Sequence, residues 1–187
     1  MSILSIYSPE TAPEASRPFL EATKKRFGFS PNIAGALAES PAALEGYLTL
    51  ARLFAGTSFS PAERQIVLIA ASVVNGCAYC VAAHSTMAAG EKVAEDVIAA
   101  LRDGKPIADA RLEALRHFTE ILVDKRGWAS DGEVQAFIDA GFNRRQVIEV
   151  VLGITQKTLS NYINHLADTP LDEAFASREW SVPQAAE

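Results

Sequence analysis

The sequence predicts a single all-α domain. Alanine is abundant, β-branched residues nowhere alternate with polar residues over a strand-length stretch, and proline and glycine divide the chain into segments of helical length. With 187 residues, of which 49% are hydrophobic, the chain is long enough to bury a core without disulfide or metal support. We therefore expect one domain over residues 1–187, with a compact helical core over about residues 17–175 and flexible ends.

Proline and glycine set the boundaries of the predicted helices in order along the chain. Three helices are expected to begin at Ser-Pro pairs, Ser30-Pro31, Ser40-Pro41 and Ser60-Pro61, in which serine caps the helix and proline occupies its first position. Other boundaries fall at Asn75-Gly76 and Gly104. The predicted helices span residues 17–28, 31–38, 41–55, 61–75, 77–89, 91–102, 108–125, 130–139 and 143–166.

Two of these helices are apolar on nearly every side. The helix over residues 61–75 carries aliphatic side chains all round, so it is expected to be buried at the centre of the domain. The last helix, residues 143–166, shares this character, which suggests further burial in an oligomer. The helix over residues 108–125 has a single apolar stripe, which is typical of packing against a core.

Charge and hydropathy exclude two classes of partner. A net charge of −6 and an isoelectric point near 5.1 argue against nucleic acid, whose binding depends on clustered lysine and arginine. The most apolar run, residues 66–74, is about half as long as a membrane-crossing helix, so no membrane partner is expected. The first residues lack the basic and apolar regions of a secretory signal, and we expect a cytoplasmic protein.

The chemistry-bearing residues are concentrated in one short segment. The two cysteines of the chain, Cys77 and Cys80, are followed by His84, and on a helix this spacing places all three side chains on one face. The first turn of that helix carries unpaired N–H groups that stabilise a thiolate. Two sulfurs three residues apart are close enough to form a reversible disulfide after a modest adjustment.

Three interpretations of this segment remain open from the residues alone. The cysteines are a redox pair with His84 as proton carrier, a buried structural pair, or part of a zinc site. A zinc site needs a fourth ligand, for which His117 and His165 are the remaining histidines. We favour redox chemistry, because neither packing nor zinc accounts as well for this spacing.

The segment from Ser60 through His84 resembles a known family. The residues Ser60-Pro61-Ala62-Glu63-Arg64-Gln65, followed by Asn75-Gly76-Cys77-x-Tyr79-Cys80-x-x-x-His84, look like the AhpD-like alkylhydroperoxidase group of the carboxymuconolactone decarboxylase family. Weaker similarity from Pro31 to Phe175, including Asn161-Tyr162-Ile163-Asn164-His165, is typical of its peroxidase-related branch. The resemblance implies an AhpD-like helical bundle with the CxxC pair at the start of a central helix.

The resemblance also implies an activity and its participants. In that family the second cysteine, here Cys80, attacks the peroxide oxygen, and Cys77 then resolves the sulfenic acid to a disulfide. The reaction uses this disulfide and no other cofactor or metal. The implied partners are a hydroperoxide substrate, a dithiol donor of lipoyl type or a peroxiredoxin, and further copies of the chain. The helix dipole by itself favours Cys77 as the more acidic thiol, so the assignment to Cys80 depends on the resemblance and on nearby His84.

One position departs from the family pattern. The family's relay glutamate stands twelve residues before the first cysteine, where this chain has Gln65, and an amide does not carry a proton. If the helices over residues 61–75 and 77–89 fold back on each other, Gln65 faces His84. We therefore expect Gln65 to position His84 or a water molecule, with Glu63 as an alternative relay carboxylate.

These observations predict a thiol peroxidase or disulfide oxidoreductase with Cys80, Cys77, His84, Gln65 and Glu63 as its candidate site residues. Two alternatives come from other classes. The first is a lactone enzyme of the carboxymuconolactone decarboxylase type, which does not depend on a cysteine pair. The second is a non-catalytic helical module in which Cys77, Cys80 and His84 hold zinc.

Overall fold

The structure, a computed structural model, describes residues 3–182 and contains nine α-helices and no β-strand in that range. The predicted all-α class is confirmed. The helices are α1 (Arg17–Phe27), α2 (Asn32–Leu37), α3 (Pro41–Ala55), α4 (Pro61–Val74), α5 (Ala78–Gly90), α6 (Glu95–Arg102), α7 (Ala110–Asp124), α8 (Asp131–Asp139) and α9 (Arg144–Ala167), with short 3-10 helices at Glu14–Ser16 and Glu173–Arg178. Within residues 3–182, no helix combines the length and apolar character needed to cross a membrane.

All nine predicted helices are present: three begin at the predicted residue, five begin one or two residues later, and α6 begins four residues later. α6 begins at Glu95 rather than at residue 91, because Lys92 has a φ of 62° and Val93 N–H bonds back to the carbonyl of Ala88 at 3.0 Å. α2 begins at Asn32, and Ser30 does not cap it. The Asp172 carboxylate instead accepts from the N–H of Asn32 at 3.2 Å.

α4 lies at the centre of the domain, as its all-round apolar sequence predicts. It packs against α5, α6, α7 and α9, and Ile66, Val67 and Ile69 are completely buried. α9 crosses close to α3 and α4 at Gly153, where an added Cβ atom would lie 2.8 Å from both Phe54 and Val67. This close approach brings the next turn of α9 against the start of α5.

The segments that were expected to be flexible pack on the helical bundle where the structure describes them. Ala12 and Ser16 are buried, and Ser16 donates a hydrogen bond to the carbonyl of Ala38 at 2.7 Å. Near the other end, Trp180 donates to the carbonyl of Arg102 at 2.8 Å. Both segments pack on the helical bundle because they carry buried side chains of their own. The expectation for residues 1–2 and 183–187 lies outside the described residues.

Candidate active site

The two cysteines lie at the corner between α4 and α5. Asn75 caps the end of α4, and Gly76 has a φ of 67°, a left-handed conformation that glycine adopts without strain. Cys77 is the N-cap residue of α5, and its N–H donates to the carbonyl of Ser72 at 2.9 Å. Cys80 follows in the first turn, where unpaired backbone N–H groups and the helix dipole favour an anion.

Both cysteines are reduced and almost completely buried, with 1% of Cys77 and 3% of Cys80 exposed. Asn164 Nδ2 donates to Cys80 Sγ at 3.2 Å and lies 3.6 Å from Cys77 Sγ. Ser160 Oγ lies 3.7 Å from Cys80 Sγ. Polar groups from α9 therefore surround the sulfur of Cys80.

Lys157 of α9 completes the surroundings of Cys80. Its side chain is completely buried, and Nζ lies 3.2 Å from Cys80 Sγ and 2.9 Å from His84 Nε2. None of the carboxylate ion pairs found among residues 3–182 includes Lys157. A buried ammonium ion needs a compensating charge, and the sulfur of Cys80 is the group placed to supply it.

The electrostatics of the pair favour a thiolate at Cys80. Burial raises the pKa of Cys80, but the hydrogen bond from Cys77 and the charge and hydrogen bond of Lys157 outweigh it, so the pKa lies well below its ordinary value. The hydrogen bond to Cys80 and burial raise the pKa of Cys77, which stays protonated. Burial lowers the pKa of Lys157, yet the charge of Cys80, the smaller influences of Tyr47 and Cys77, and the hydrogen bond to Cys80 together outweigh burial and raise the pKa. Cys80 is therefore the more acidic thiol of the pair.

A row of hydrogen bonds runs from Lys157 through His84 and Gln65 to the protein surface. Lys157 Nζ only donates, so His84 accepts at Nε2 and carries its proton on Nδ1. Nδ1 donates to Gln65 Oε1 at 3.1 Å, and Gln65 Nε2 donates to the exposed carboxylate of Glu91 at 3.3 Å. Burial, and then the charge of Lys157, lower the pKa of His84, which keeps the ring neutral as this row requires.

The other candidate residues lie away from the thiols. Glu63 is held by the capping box with Ser60 and by an ion pair with Arg111 at 2.9 Å, so its carboxylate faces α7 and not His84. His117 and His165 are both exposed. Among residues 3–182, no group of three or more His, Cys, Asp or Glu side chains is placed to hold a metal ion, so the zinc alternative lacks a ligand set there.

A cavity of about 320 Å³ leads to Cys80, His84 and Lys157. This volume lies within the range of small-molecule sites. Its walls are mainly apolar and include Phe27, Ile33, Leu48, Phe54, Met87 and Phe175. Tyr47 and Gln156 also line it, and the charge of Lys157 acts on the Tyr47 hydroxyl. A small organic molecule can therefore approach the sulfur from an apolar environment.

Sequence reasoning missed the contribution of α9. Lys157, Ser160 and Asn164 contact Cys80, and none of them was expected at the site, although Asn164 belongs to the family-like run at residues 161–165. A signal was present, since polar residues recur every three or four positions through a helix predicted to be buried. A polar stripe on a buried helix indicates a site, because buried polar groups need partners.

Part of the sequence matches a known protein family. The sequence profile of the Carboxymuconolactone decarboxylase family matches residues 38–120, which include the CxxC pair and His84. No curated protein matches the chain.

Solved structures of similar fold cover nearly the whole chain. A peroxidase-related protein from Ralstonia eutropha JMP134, described as an alkylhydroperoxidase AhpD core, has a TM-score of 0.80 at 20% identity and covers 93% of this chain and 94% of its own. A peroxidase-related protein from Silicibacter sp. TM1040 has a TM-score of 0.79 at 17% identity, with 94% and 93% covered. The debrominase Bmp8, as a C82A variant in complex with 2,3,4-tribromopyrrole, has a TM-score of 0.79 at 16% identity, with 95% and 96% covered.

Proposed function

We propose, since this chain is an AhpD-like member of the carboxymuconolactone decarboxylase family, that it is a thiol oxidoreductase that reduces hydroperoxides through Cys80 and Cys77. The observation that carries this proposal is the 3.2 Å contact between Cys80 Sγ and Lys157 Nζ beside an apolar cavity. A buried ammonium ion keeps the sulfur ionised, and the thiolate is the reactive form of cysteine.

The first step transfers one oxygen atom to Cys80. The thiolate attacks the terminal oxygen of the hydroperoxide, the S–O bond forms and the O–O bond breaks, which gives a sulfenic acid on Cys80. The leaving alkoxide takes a proton from the Lys157 ammonium group and departs as an alcohol. Lys157 acts as a general acid because its Nζ already lies against the reacting sulfur.

The second step forms the disulfide. The Cys77 thiol attacks the sulfur of the Cys80 sulfenic acid, and water leaves with the thiol proton and the hydroxyl group. An external dithiol then reduces the Cys77–Cys80 disulfide, and the regenerated Cys80 thiol returns its proton to the Lys157 amine. His84, held by Gln65, keeps its Nε2 lone pair directed at Lys157 during this exchange.

The proposal also includes a reductant and further copies of the chain. The reductant is a dithiol of lipoyl type or a peroxiredoxin, and the protein acts in the cytoplasm, where such thiols are kept reduced. The chain forms a homo-oligomer, for which the exposed apolar side chains of Ile148, Val151 and Tyr162 on α9 provide a surface. Light scattering of the purified protein tests this last point directly.

The test counts thiols and measures intact mass before and after one equivalent of an organic hydroperoxide. Wild type is expected to lose both thiols and two hydrogen atoms in mass. Cys80→Ser is expected to keep its one remaining thiol, whereas the matched variant Cys77→Ser is expected to gain one oxygen atom at Cys80. Survival of both thiols in wild type contradicts the proposal and favours a lactone enzyme, in which the thiols are spectators.

A second candidate function follows from the likeness to the debrominase Bmp8, whose structure was solved with a brominated pyrrole. The same thiolate is placed to attack a halogen on an aromatic ring, while Lys157 supplies a proton to the ring carbon. Cys77 then displaces halide from the Cys80 sulfur, which forms the same disulfide. Halide release from a halogenated pyrrole or phenol, in step with thiol loss, tests this candidate.

A further inference from the structure

Gln156 lies in the lining of the cavity, directly before Lys157 on α9. Only 4% of its side chain is exposed. The Oε1 atom of its amide is buried and accepts no hydrogen bond from residues 3–182. A buried carbonyl oxygen without a donor is unfavourable unless a ligand supplies one.

The position of this oxygen separates it from the other unpartnered polar atoms. Within the described residues, four buried side-chain atoms lack a hydrogen-bond partner: Ser30 Oγ, Gln156 Oε1, Asn164 Oδ1 and Thr169 Oγ1. Of these residues, Gln156 alone belongs to the cavity lining. The oxygen itself is closed to solvent, so the Gln156 side chain must turn slightly to present this acceptor to a molecule that fills the cavity.

The cavity combines three features that a ligand must match. Its walls are apolar, Lys157 Nζ supplies a donor next to Cys80 Sγ, and Gln156 Oε1 supplies an acceptor from the neighbouring residue of α9. We propose that Gln156 is a specificity-determining residue, whose Oε1 accepts a hydrogen bond from a substrate that carries an O–H or N–H group on an apolar body.

The chemical step rests on the proposed function, although the binding preference does not. In a hydroperoxide the terminal O–H donates to Gln156 Oε1, which holds the terminal oxygen for attack by the Cys80 thiolate. The S–O bond forms, the O–O bond breaks, and the alkoxide takes its proton from Lys157. A dialkyl peroxide has no O–H group and loses this orientation, so the site discriminates against it.

The test compares two ligands that differ in one donor. Cumyl alcohol carries an O–H group on an apolar aromatic body, and cumyl methyl ether lacks it. Each is titrated against the reaction of Cys80 with methyl methanethiosulfonate, a reagent without O–H or N–H donors, and binding appears as protection of the thiol. The assay needs no peroxidase turnover and runs on wild type and on Gln156→Met, which replaces the amide by an apolar side chain of similar size.

In wild type the alcohol is expected to protect at a concentration about tenfold lower than the ether. Gln156→Met is expected to remove this preference when protection in each protein is expressed relative to its own rate of Cys80 modification in the absence of ligand. Equal protection by the two ligands in wild type, no protection by either, or an unchanged preference in Gln156→Met overturns the assignment. Protection by the alcohol together with thiols that survive hydroperoxide overturns the proposed peroxidase function and leaves this assignment intact.

Discussion

Two buried cations in this protein have opposite surroundings. Arg116 on α7 is 7% exposed and lies between two carboxylates of its own helix, Glu113 at 2.6 Å and Glu120. Lys157 on α9 is completely buried and contacts a thiol and a neutral histidine instead. Arg116 is balanced by groups that stay ionised, whereas the balance of Lys157 depends on the state of Cys80.

This difference distinguishes a buried cation whose charge is fixed from one whose charge can change. The hydrogen bond to Glu113 and the charges of Glu120 and Glu113 raise the pKa of Arg116 despite its burial, so its charge is fixed. Oxidation of Cys80 to a disulfide removes the negative charge next to Lys157, and a buried ammonium ion without a counter-charge releases its proton. A buried cation that lacks a carboxylate therefore couples proton transfer to the redox state of its partner.

The largest expected effect comes from removing the thiolate itself. Cys80→Ser is expected to lower hydroperoxide consumption at least about a thousandfold, because a serine hydroxyl is neither ionised nor readily oxidised at neutral pH. Steady-state peroxide assays measure this loss. Cys77→Ser serves as the matched control, since it is expected to complete one oxidation without multiple turnover. Equal turnover by Cys80→Ser and wild type contradicts the assignment of the nucleophile.

Removing Lys157 is expected to have the next largest effect. In wild type the pKa of Cys80 is lowered, so its reactivity toward methyl methanethiosulfonate is expected to stay level as the pH rises through neutrality. Lys157→Met raises the pKa of Cys80, so the rate at neutral pH is expected to fall about 10- to 100-fold and to recover as the pH rises past the ordinary thiol range near about 8.5. The full pH–rate profile measures both effects.

The other cation provides the control for this experiment. Arg116→Met is expected to reduce the free energy of unfolding by about 1–3 kcal/mol, because Glu113 and Glu120 lose their shared partner. It is expected to leave the pH–rate profile of Cys80 unchanged, since Arg116 does not contact the thiol. A profile that moves equally in both variants shows that Lys157 acts through general stability.

The sequence predicted the local parts of this site and missed the distant one. Helix periodicity and the CxxC spacing predicted that Cys77, Cys80 and His84 would share a face. Chain reversal at Asn75-Gly76 predicted that Gln65 would lie opposite His84. Both relations could be predicted because they lie within one helix or one helical hairpin. Lys157 is 77 residues from Cys80. Its position depends on how α9 crosses α4, which no local pattern specifies.

Residue type concealed Lys157 further. Lysine is almost never fully buried without a partner, so a lysine within a helix is ordinarily interpreted as exposed. The close contact of Gly153 with Phe54 and Val67 is what places the following turn of α9 inside the bundle. The start of α6 was missed for a related reason. Lys92 adopts a left-handed conformation, and lysine is not a residue type at which such a turn is expected.

Gln65 is expected to have a moderate effect, because it acts through His84. Gln65→Ala removes the acceptor for His84 Nδ1 and is expected to lower turnover about tenfold while Cys80 alkylation stays near its wild-type rate. Gln65→Glu keeps an acceptor and is expected to retain most activity. Unchanged turnover in Gln65→Ala, or a large increase in Gln65→Glu, contradicts a positioning role for the amide.

The smallest effect on turnover is expected at Glu63, which lies two residues before Gln65 on α4 and pairs with Arg111 of α7. Burial raises the pKa of Glu63, but hydrogen bonds from Ser60 and Arg111 and the charge of Arg111 outweigh it, so the pKa is lowered on folding. A lowered carboxylate pKa stabilises the fold above the unfolded-state value near about 4.3, and this stabilisation disappears as the pH falls through the folded-state value.

Glu63→Gln keeps an acceptor for the capping box and loses the charge facing Arg111. It is expected to reduce the free energy of unfolding at neutral pH by about 0.5 kcal/mol and to leave peroxide turnover unchanged. Thermal unfolding at neutral and acidic pH, alongside the peroxide assay, measures both. If the difference in stability between wild type and Glu63→Gln shrinks on acidification, the Glu63 carboxylate stabilises the contact with α7. A loss of turnover in Glu63→Gln means instead that this carboxylate reaches the thiols through a conformation other than the present one.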